Sequence, residues 1–392
     1  MHHEGESKKE IAERTSRYNK DGLTVERMQE IIAEILTMKK ANDAVINGNA
    51  PEASRTRMAP EQDIYYTQPS DPLRLMQDVL SQPEYSLEGK KVLTVAGSGD
   101  LPLFFLSMGA EQTDAFDISA IACVMTEAKL TAIKSDCLSL EQYSDMFKIP
   151  DLSNLDEPEN LETARVFFQA DNYDALEPLL TPQAKQFLQL ATDPETRTLL
   201  FSYDMENMGM PYEVFRDRQY MGGIKLADII PLLSNPELFA KYQKSLQRQR
   251  SRIRKKSLFH MTRRDLAPYD YVFVSNIGFD KASIIFDLKN MLMKGVKRIG
   301  FTIQAGGQHR QENKNIMVNW NGEALPANEQ PVKNNQPIIN MLDQDLIPGT
   351  TVEMFGVNIR ILCHDSSSPT IPVYAEMRAE DNEHLFSKQK TT

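Results

Sequence analysis

Apolar residues first recur at helical spacing in "TVERMQEIIAEILTMKKAND", which places Val25, Met28, Ile31, Ile32, Ile35 and Met38 on one face. This predicts a helix after a polar stretch, 1–22, that reads as frayed. Pro51, Ser54 and Pro60 interrupt the pattern and mark a linker. "DIYYTQPSDPLRLMQDVL" reads as a proline-rich turn entering a short amphipathic helix. Next, "KKVLTVAGSGDLPLFFLSMGAEQTDAFDIS" predicts a strand ending at Ala96, a glycine turn, an apolar helix from near Leu101, and a second strand ending at Asp117. A strong helix, "AIACVMTEAKLTAIKS", follows. From 140 to 256 the pattern is helical and broken by prolines, as in "PQAKQFLQLA" and "PELFAKYQKSLQRQRSRIRKK", with little strand signal. Strand patterns return in "DYVFVSNIGF", "VKRIGFTIQAG", "TTVEMFGVNIRILCHD" and "TIPVYAEMRA". Residues 305–340, rich in Asn, Gln and Gly, read as a long surface excursion.

This order predicts an α/β fold with a doubly wound, mainly parallel sheet and a helical insertion. The expected divisions are an N-terminal helical extension at 1–60, an α/β domain at 61–139 and 257–378, the insertion at 140–256, and a flexible tail at 379–392. In such sheets ligands sit beyond the carboxyl ends of the strands, near the switch point. That brings the turn Ala96-Gly97-Ser98-Gly99-Asp100 and the strand-ending Asp117 to one site.

Composition narrows the partners. The chain has 392 residues, 41% hydrophobic and 25% charged, which is ordinary globular usage. A net charge of -11 argues against nucleic acid, whose phosphates need clustered Lys and Arg. Cys123, Cys137 and Cys363 lie far apart without CxxC spacing, which predicts reduced thiols of a cytoplasmic or otherwise soluble protein. The six histidines form no close pair beyond His2 and His3, so no metal site is expected. His364 beside Asp365 does not make a catalytic dyad, because adjacent strand residues point to opposite faces. No apolar run approaches the length of a membrane span, and no apolar signal core opens the chain. The acidic tail "AEMRAEDNEHLFSKQKTT" reads as disorder, with a sorting or secretion signal as the other reading.

The glycine turn admits three ligand classes. A dinucleotide site asks for G-x-G-x-x-G, and Pro102 stands at the third glycine position. A P-loop asks for GK[ST], which is missing. S-adenosylmethionine carries no phosphate and needs only a short G-x-G turn and an acid for the ribose hydroxyls. Asp117, about 20 residues past the turn, is such an acid.

Beyond these features, "IYYTQPSDP" followed by "VLTVAGSGDLPLFFLSMGAEQTDAFDISAIACVMTEAKLTAI" resembles the S-adenosylmethionine:diacylglycerol 3-amino-3-carboxypropyl transferase family. Tyr65, Tyr66, Asp71, Pro72, Ser98, Gly99, Asp100, Asp117 and Lys129 carry the resemblance. "RRDLAPYDYVFVSNIGF", with Ser275 and Asn276, extends it to a fourth-strand segment. The chain departs from the family pattern at Pro69 and Ser70, at Leu101, and at Ile118-Ser119. The resemblance implies a class I methyltransferase-like Rossmann fold and S-adenosylmethionine as co-substrate, with a small-molecule or lipid acceptor.

The expected site follows. Ala96, Gly97, Ser98, Gly99 and Ile118 frame the donor, Asp117 holds the ribose, and Asp100 takes the donor's ammonium group or caps its helix. Asp265 is placed for the adenine amino group, and Ser275 and Asn276 for the transferred group or the acceptor. Tyr65 and Tyr66 form a lid, stack on the donor or deprotonate a hydroxyl. The sulfonium has three activated carbons, and orientation selects among them. The expected activity is transfer of the 3-amino-3-carboxypropyl group, with methyl transfer and non-catalytic nucleoside binding as alternatives. The insertion, together with Tyr65–Asp71, is expected to roof the site, because Phe167, Phe168, Leu176, Leu179, Leu180, Phe187 and Leu188 exceed one core face. The basic run Arg248–Lys256 reads as a solvated helix face, with anionic lipid contact as the functional alternative.

Overall fold

The computed structural model describes residues 23–46, 48–51, 71–147, 168–201, 230–247, 251–275, 284–305, 348–354, 356–364 and 371–387. Eight strands form one sheet: β1 (Lys91–Val95), β2 (Gln112–Asp117), β3 (Ile253–Lys255), β4 (Tyr271–Phe273), β5 (Arg298–Ala305), β6 (Thr351–Met354), β7 (Val357–His364) and β8 (Ile371–Arg378), in the order β3-β2-β1-β4-β5-β8-β7-β6. The main helices are α1 (Val25–Ile46), α2 (Leu73–Leu80), α3 (Asp100–Ser107), α4 (Ala120–Lys134), α5 (Leu140–Met146), α6 (Pro182–Gln189), α7 (Pro194–Phe201), α8 (Pro236–Leu246) and α9 (Ile284–Met293). The protein is therefore α/β, as its sequence pattern predicts. Internal contacts divide it into two units, the first Met1–Pro69, Ala96–Ser107 and Thr113–Leu258, the second Ser70–Val95, Met108–Gln112 and Phe259–Thr392.

In the first unit, α4 is the central element. Its start is set by Ser119, whose hydroxyl accepts from the Ala122 N–H at 3.1 Å, so an orphan donor of the first turn is satisfied. Nearly all of α4 is buried, including the polar Thr126, Glu127 and Lys129. α3, α6 and α8 pack on it, and α1 packs on α6 and α7. Ser139 and Gln142 close a capping box on α5, and Thr181 with Pro182 at the first helical position starts α6.

The insertion's apolar residues find their partners among themselves and on α1 and α4. Phe168 stacks on Phe201 at 5.1 Å, Phe187 meets Phe201 at 5.0 Å, and Phe147 meets Phe168 at 5.6 Å. Leu176, Leu179, Leu180 and Leu188 are buried as well. Core packing thus accounts for the apolar excess that suggested a roof; Phe167 lies outside the described residues. Docking is also polar. The Glu127 carboxylate accepts from the Thr181 N–H at 2.7 Å and from its hydroxyl at 2.9 Å. Burial pushes the Glu127 carboxyl up to about 7, against the lowering effect of those two bonds.

The basic run departs from expectation. Ile253–Lys255 is not a helix face but strand β3, parallel to β2 with Ala115 opposite Ile253 and Asp117 opposite Lys255. Arg254 is buried. The Arg252 N–H donates to Asp114 Oδ1 at 2.8 Å, and the Lys256 N–H donates to the Asp117 carbonyl at 2.7 Å. Pairing with a distant strand outweighs a local preference that reads as helix.

In the second unit, β1 and β5 flank β4 in parallel register, and β5, β8, β7 and β6 pair antiparallel in turn. β4 is buried throughout. Its Tyr271 hydroxyl meets the Tyr374 hydroxyl at 2.5 Å inside the core, and burial pushes both phenols up. Gly300, opposite Phe273, makes room for that pair, because a Cβ there would overlap the Tyr271 hydroxyl. Glu376 is fully buried between Arg298, at 2.8 Å, and Arg378. The stretch from 379 read as tail is ordered to Ser387. Its buried Asn382 accepts from the Asn358 N–H at 2.7 Å and donates to the Arg378 carbonyl at 2.9 Å.

Two outcomes follow. Gly300→Ala should destabilise the fold by about 1–3 kcal/mol through overpacking against Tyr271, read as a lower denaturant midpoint. Glu127 binds its proton more tightly folded than unfolded, so its contribution to stability is lost as pH rises through about 7. Glu127→Gln should therefore gain on wild type between pH 4.5 and 7, by roughly 3 kcal/mol at most. Parallel unfolding curves of the two proteins across that range would contradict the assignment.

Candidate functional site

β1 runs directly into the turn Ala96–Asp100, and every residue of that turn belongs to the first unit. Gly97 and Gly99 have φ of +49° and +80°, conformations that L side chains rarely adopt. Their surroundings differ. Around the missing Cβ of Gly97 nothing lies within 4 Å. A Cβ on Gly99 would come within 3.0 Å of Lys129 Cδ and 3.1 Å of the Thr126 Cα. The turn therefore rests on α4 at Gly99 and opens at Gly97.

Hydrogen bonds lock this arrangement. Thr126 Oγ1 donates to the Ala96 carbonyl at 3.5 Å, and Lys129 Nζ donates to the Ser98 carbonyl at 2.8 Å. The Gly97 N–H donates to Asp117 Oδ2 at 3.1 Å, and the Ser119 N–H donates to Asp117 Oδ1 at 3.0 Å. The Gly99 N–H bonds the Ala96 carbonyl at 2.7 Å, and the Asp100 N–H reaches Ser98 Oγ at 3.4 Å. Thus the N–H groups of Gly97, Gly99 and Asp100 are all turned to acceptors of the protein itself.

Asp100 opens α3 but does not cap it with its carboxylate. Oδ1 pairs with Lys129 Nζ at 2.8 Å, and Oδ2 is buried without a hydrogen-bond partner. Beside Asp117, Ile118 keeps 47% of its surface exposed, unusual for a large apolar residue here. The expected donor residues Ala96, Gly97, Ser98, Gly99, Asp100, Asp117 and Ile118 are thus assembled around one turn.

The remaining candidates are distributed differently. Tyr65, Tyr66 and Asn276 lie outside the described residues. Asp265 belongs to the second unit, where its Oδ2 accepts from the Thr262 N–H at 2.8 Å and hydroxyl at 2.9 Å, closing a capping box. Ser275, also in the second unit, has φ +55° and donates to Asp71 at 2.8 Å. Thr302 Oγ1 donates to the same Asp71 carboxylate at 2.6 Å, and the Thr302 N–H bonds the Ser275 carbonyl at 3.1 Å. Burial pushes the Asp71 carboxyl up to about 6, against the opposing pull of these hydroxyls.

Thr126 and Thr302 have no place in the sequence-based site. A signal for Thr126 exists: Thr, Glu and Lys inside the otherwise apolar "AIACVMTEAKL" are polar groups on a buried helix, and such groups need partners. Thr302 offers no comparable signal. Among the described residues no group of three or more His, Cys, Asp or Glu is arranged to hold a metal. No described helix is long and apolar enough to cross a membrane. No protein-family model matches the chain, and no curated protein matches it.

The two glycines should respond unequally. Gly97→Ala meets only the backbone cost of a left-handed residue, about 1–2 kcal/mol. Gly99→Ala meets that cost and a tight contact with α4, which adds up to about 1 kcal/mol, the low end for overpacking. Thermal melts should place Gly99→Ala below Gly97→Ala; the reverse order would contradict the packing described.

Proposed function

We propose that the chain is an S-adenosylmethionine-dependent transferase that moves the 3-amino-3-carboxypropyl group to a hydroxyl or amine of a small-molecule or lipid acceptor. The observation that carries the donor reading is the turn's own hydrogen bonding. A pyrophosphate needs backbone N–H groups directed at it, whereas those of Gly97, Gly99 and Asp100 are engaged within the protein. The Asp117 carboxylate beside the turn disfavours an anion further, while the Asp100 charge is matched by Lys129. A nucleoside with a cationic tail suits both features. In this reading Asp117 accepts the ribose hydroxyls, a carboxylate having about four acceptor sites. Exposed Ile118 covers one face of the base, and the unpartnered Oδ2 of Asp100 accepts from the donor's ammonium group.

A class I methyltransferase-like Rossmann sheet belongs to the same proposal. Strand order 3-2-1-4-5 is that of a doubly wound nucleotide-binding sheet, with its ligand beyond the strand ends. The choice of 3-amino-3-carboxypropyl over methyl transfer rests on the sequence resemblance. The reaction proceeds by displacement at the carbon presented to the acceptor, and holding that geometry is the protein's main contribution.

Calorimetry should give a micromolar dissociation constant for S-adenosylmethionine, about -8 kcal/mol. Asp117→Ala should weaken it by about 1.5–3 kcal/mol, the range for a hydrogen bond to a charged group. Absence of binding at millimolar donor would remove the proposal. With acceptor present, methylthioadenosine as the sulfur product supports 3-amino-3-carboxypropyl transfer; S-adenosylhomocysteine would replace it with methyl transfer, and neither product would leave a nucleoside-binding protein.

A further inference from the structure

Lys129 has no part in the donor contacts above, yet its ammonium is almost wholly buried, with a side chain 3% exposed. Burying an ammonium costs several kcal/mol unless partners compensate. Here they do: Asp100 Oδ1 and the Ser98 carbonyl each lie 2.8 Å from Nζ, and the Phe147 ring centroid lies 6.0 Å away. The lysine stem reaches them by crossing the space that the missing Cβ of Gly99 leaves open.

We infer that Lys129 is a positioning residue: its ammonium occupies one oxygen of the Asp100 carboxylate, so that the other is presented to the ammonium of an amino-acid-bearing nucleoside. This deepens the donor reading and rests on it. The orphaned Oδ2 is the observation that points to a ligand. An acceptor on a buried charged group costs free energy when nothing donates to it, and the side chain carrying it is 2% exposed. A purely structural Asp–Lys stitch between α3 and α4 does not explain that oxygen. The other charged groups nearby are directed elsewhere. Asp117 takes the Gly97 and Ser119 N–H groups, and Glu127 takes Thr181. Lys255 acts on Cys123, whose thiol contacts the Asp117 carbonyl and is pushed up chiefly by burial.

The role predicts a pH signature that loss of packing does not produce. Without the ammonium, a buried carboxylate takes up a proton more readily, and the neutral acid no longer offers a charged acceptor. Lys129→Met should thus make S-adenosylmethionine binding pH-dependent, falling at least tenfold relative to wild type between pH 8 and pH 6. Methylthioadenosine, which lacks the amino-acid end, should bind Lys129→Met and wild type equally at both pH values. If Lys129→Met matches wild type for S-adenosylmethionine at each pH, or loses both nucleosides in parallel, the positioning role is overturned. Should Lys129→Met fail to fold, the double variant Asp100→Asn with Lys129→Met removes the uncompensated charge. It should bind methylthioadenosine normally and lose the preference for S-adenosylmethionine, and retention of the full preference would overturn the role. Wild-type protein that binds neither nucleoside sinks the donor reading and this inference together. Wild-type protein that binds both equally leaves the donor reading standing and sinks only the ammonium subsite.

Discussion

The glycine turn after β1 lies so close to α4 that a side chain on Gly99 would press on it, and much of the first unit is arranged around that contact. Thr126 and Lys129 form the surface on which the turn rests. Because Cα of Gly99 sits on the helix, the Ala96 and Ser98 carbonyls reach the Thr126 hydroxyl and the Lys129 ammonium. With those carbonyls held, the Gly97 N–H faces Asp117 at the end of β2. In a G-x-G-x-x-G turn the third glycine provides close helix–strand packing; Pro102 occupies that place here, and Gly99 makes a close helix contact of its own, with α4. The same helix receives the insertion through Glu127 and Thr181. Turn and insertion are thus referred to one rigid element.

Buried polar groups recur at such joints, most of them with specific partners. An unpaired buried polar group costs more than a satisfied one contributes, so these joints specify geometry as well as add stability. Glu127 with Thr181, Tyr271 with Tyr374, Glu376 with its two arginines, and Asp71 with Ser275 and Thr302 all follow this rule. Several buried polar atoms among the described residues lack partners, and of these the Oδ2 of Asp100 lies at the turn. In the proposed reading, the donor's ammonium is the partner it lacks.

Backbone geometry and charge at the turn are the grounds of the proposed donor. A glycine turn at a helix start is usually an anion site, since helix N-termini carry partial positive charge and free N–H groups. Here the N–H groups of Gly97, Gly99 and Asp100 bond to acceptors of the protein itself, Asp117 adjoins them, and Asp100 is paired with Lys129. In the proposed reading, the turn takes a nucleoside with a positive end.

Much of this was legible in the chain itself. Helical spacing marked α1 and α4, short apolar runs marked β1, β2, β4, β5, β7 and β8, and the glycine pair with Asp117 marked the turn, because those signals are local. Three features had no adequate local signal. Strand β3 was hidden in "RQRSRIRKK", since its identity depends on an Asp114–Arg252 bond spanning 138 residues. The Asp71–Thr302 contact joins positions 231 apart, and Thr302 looks like any strand threonine. The contacts of Asp100 depended on which face of α4 met the turn, a choice made by tertiary packing around Gly99. Which segments bury apolar surface, and where the backbone needs glycine, can be read along the chain. Which polar groups find partners cannot, because a hydrogen bond depends on positions in space that residue spacing does not specify.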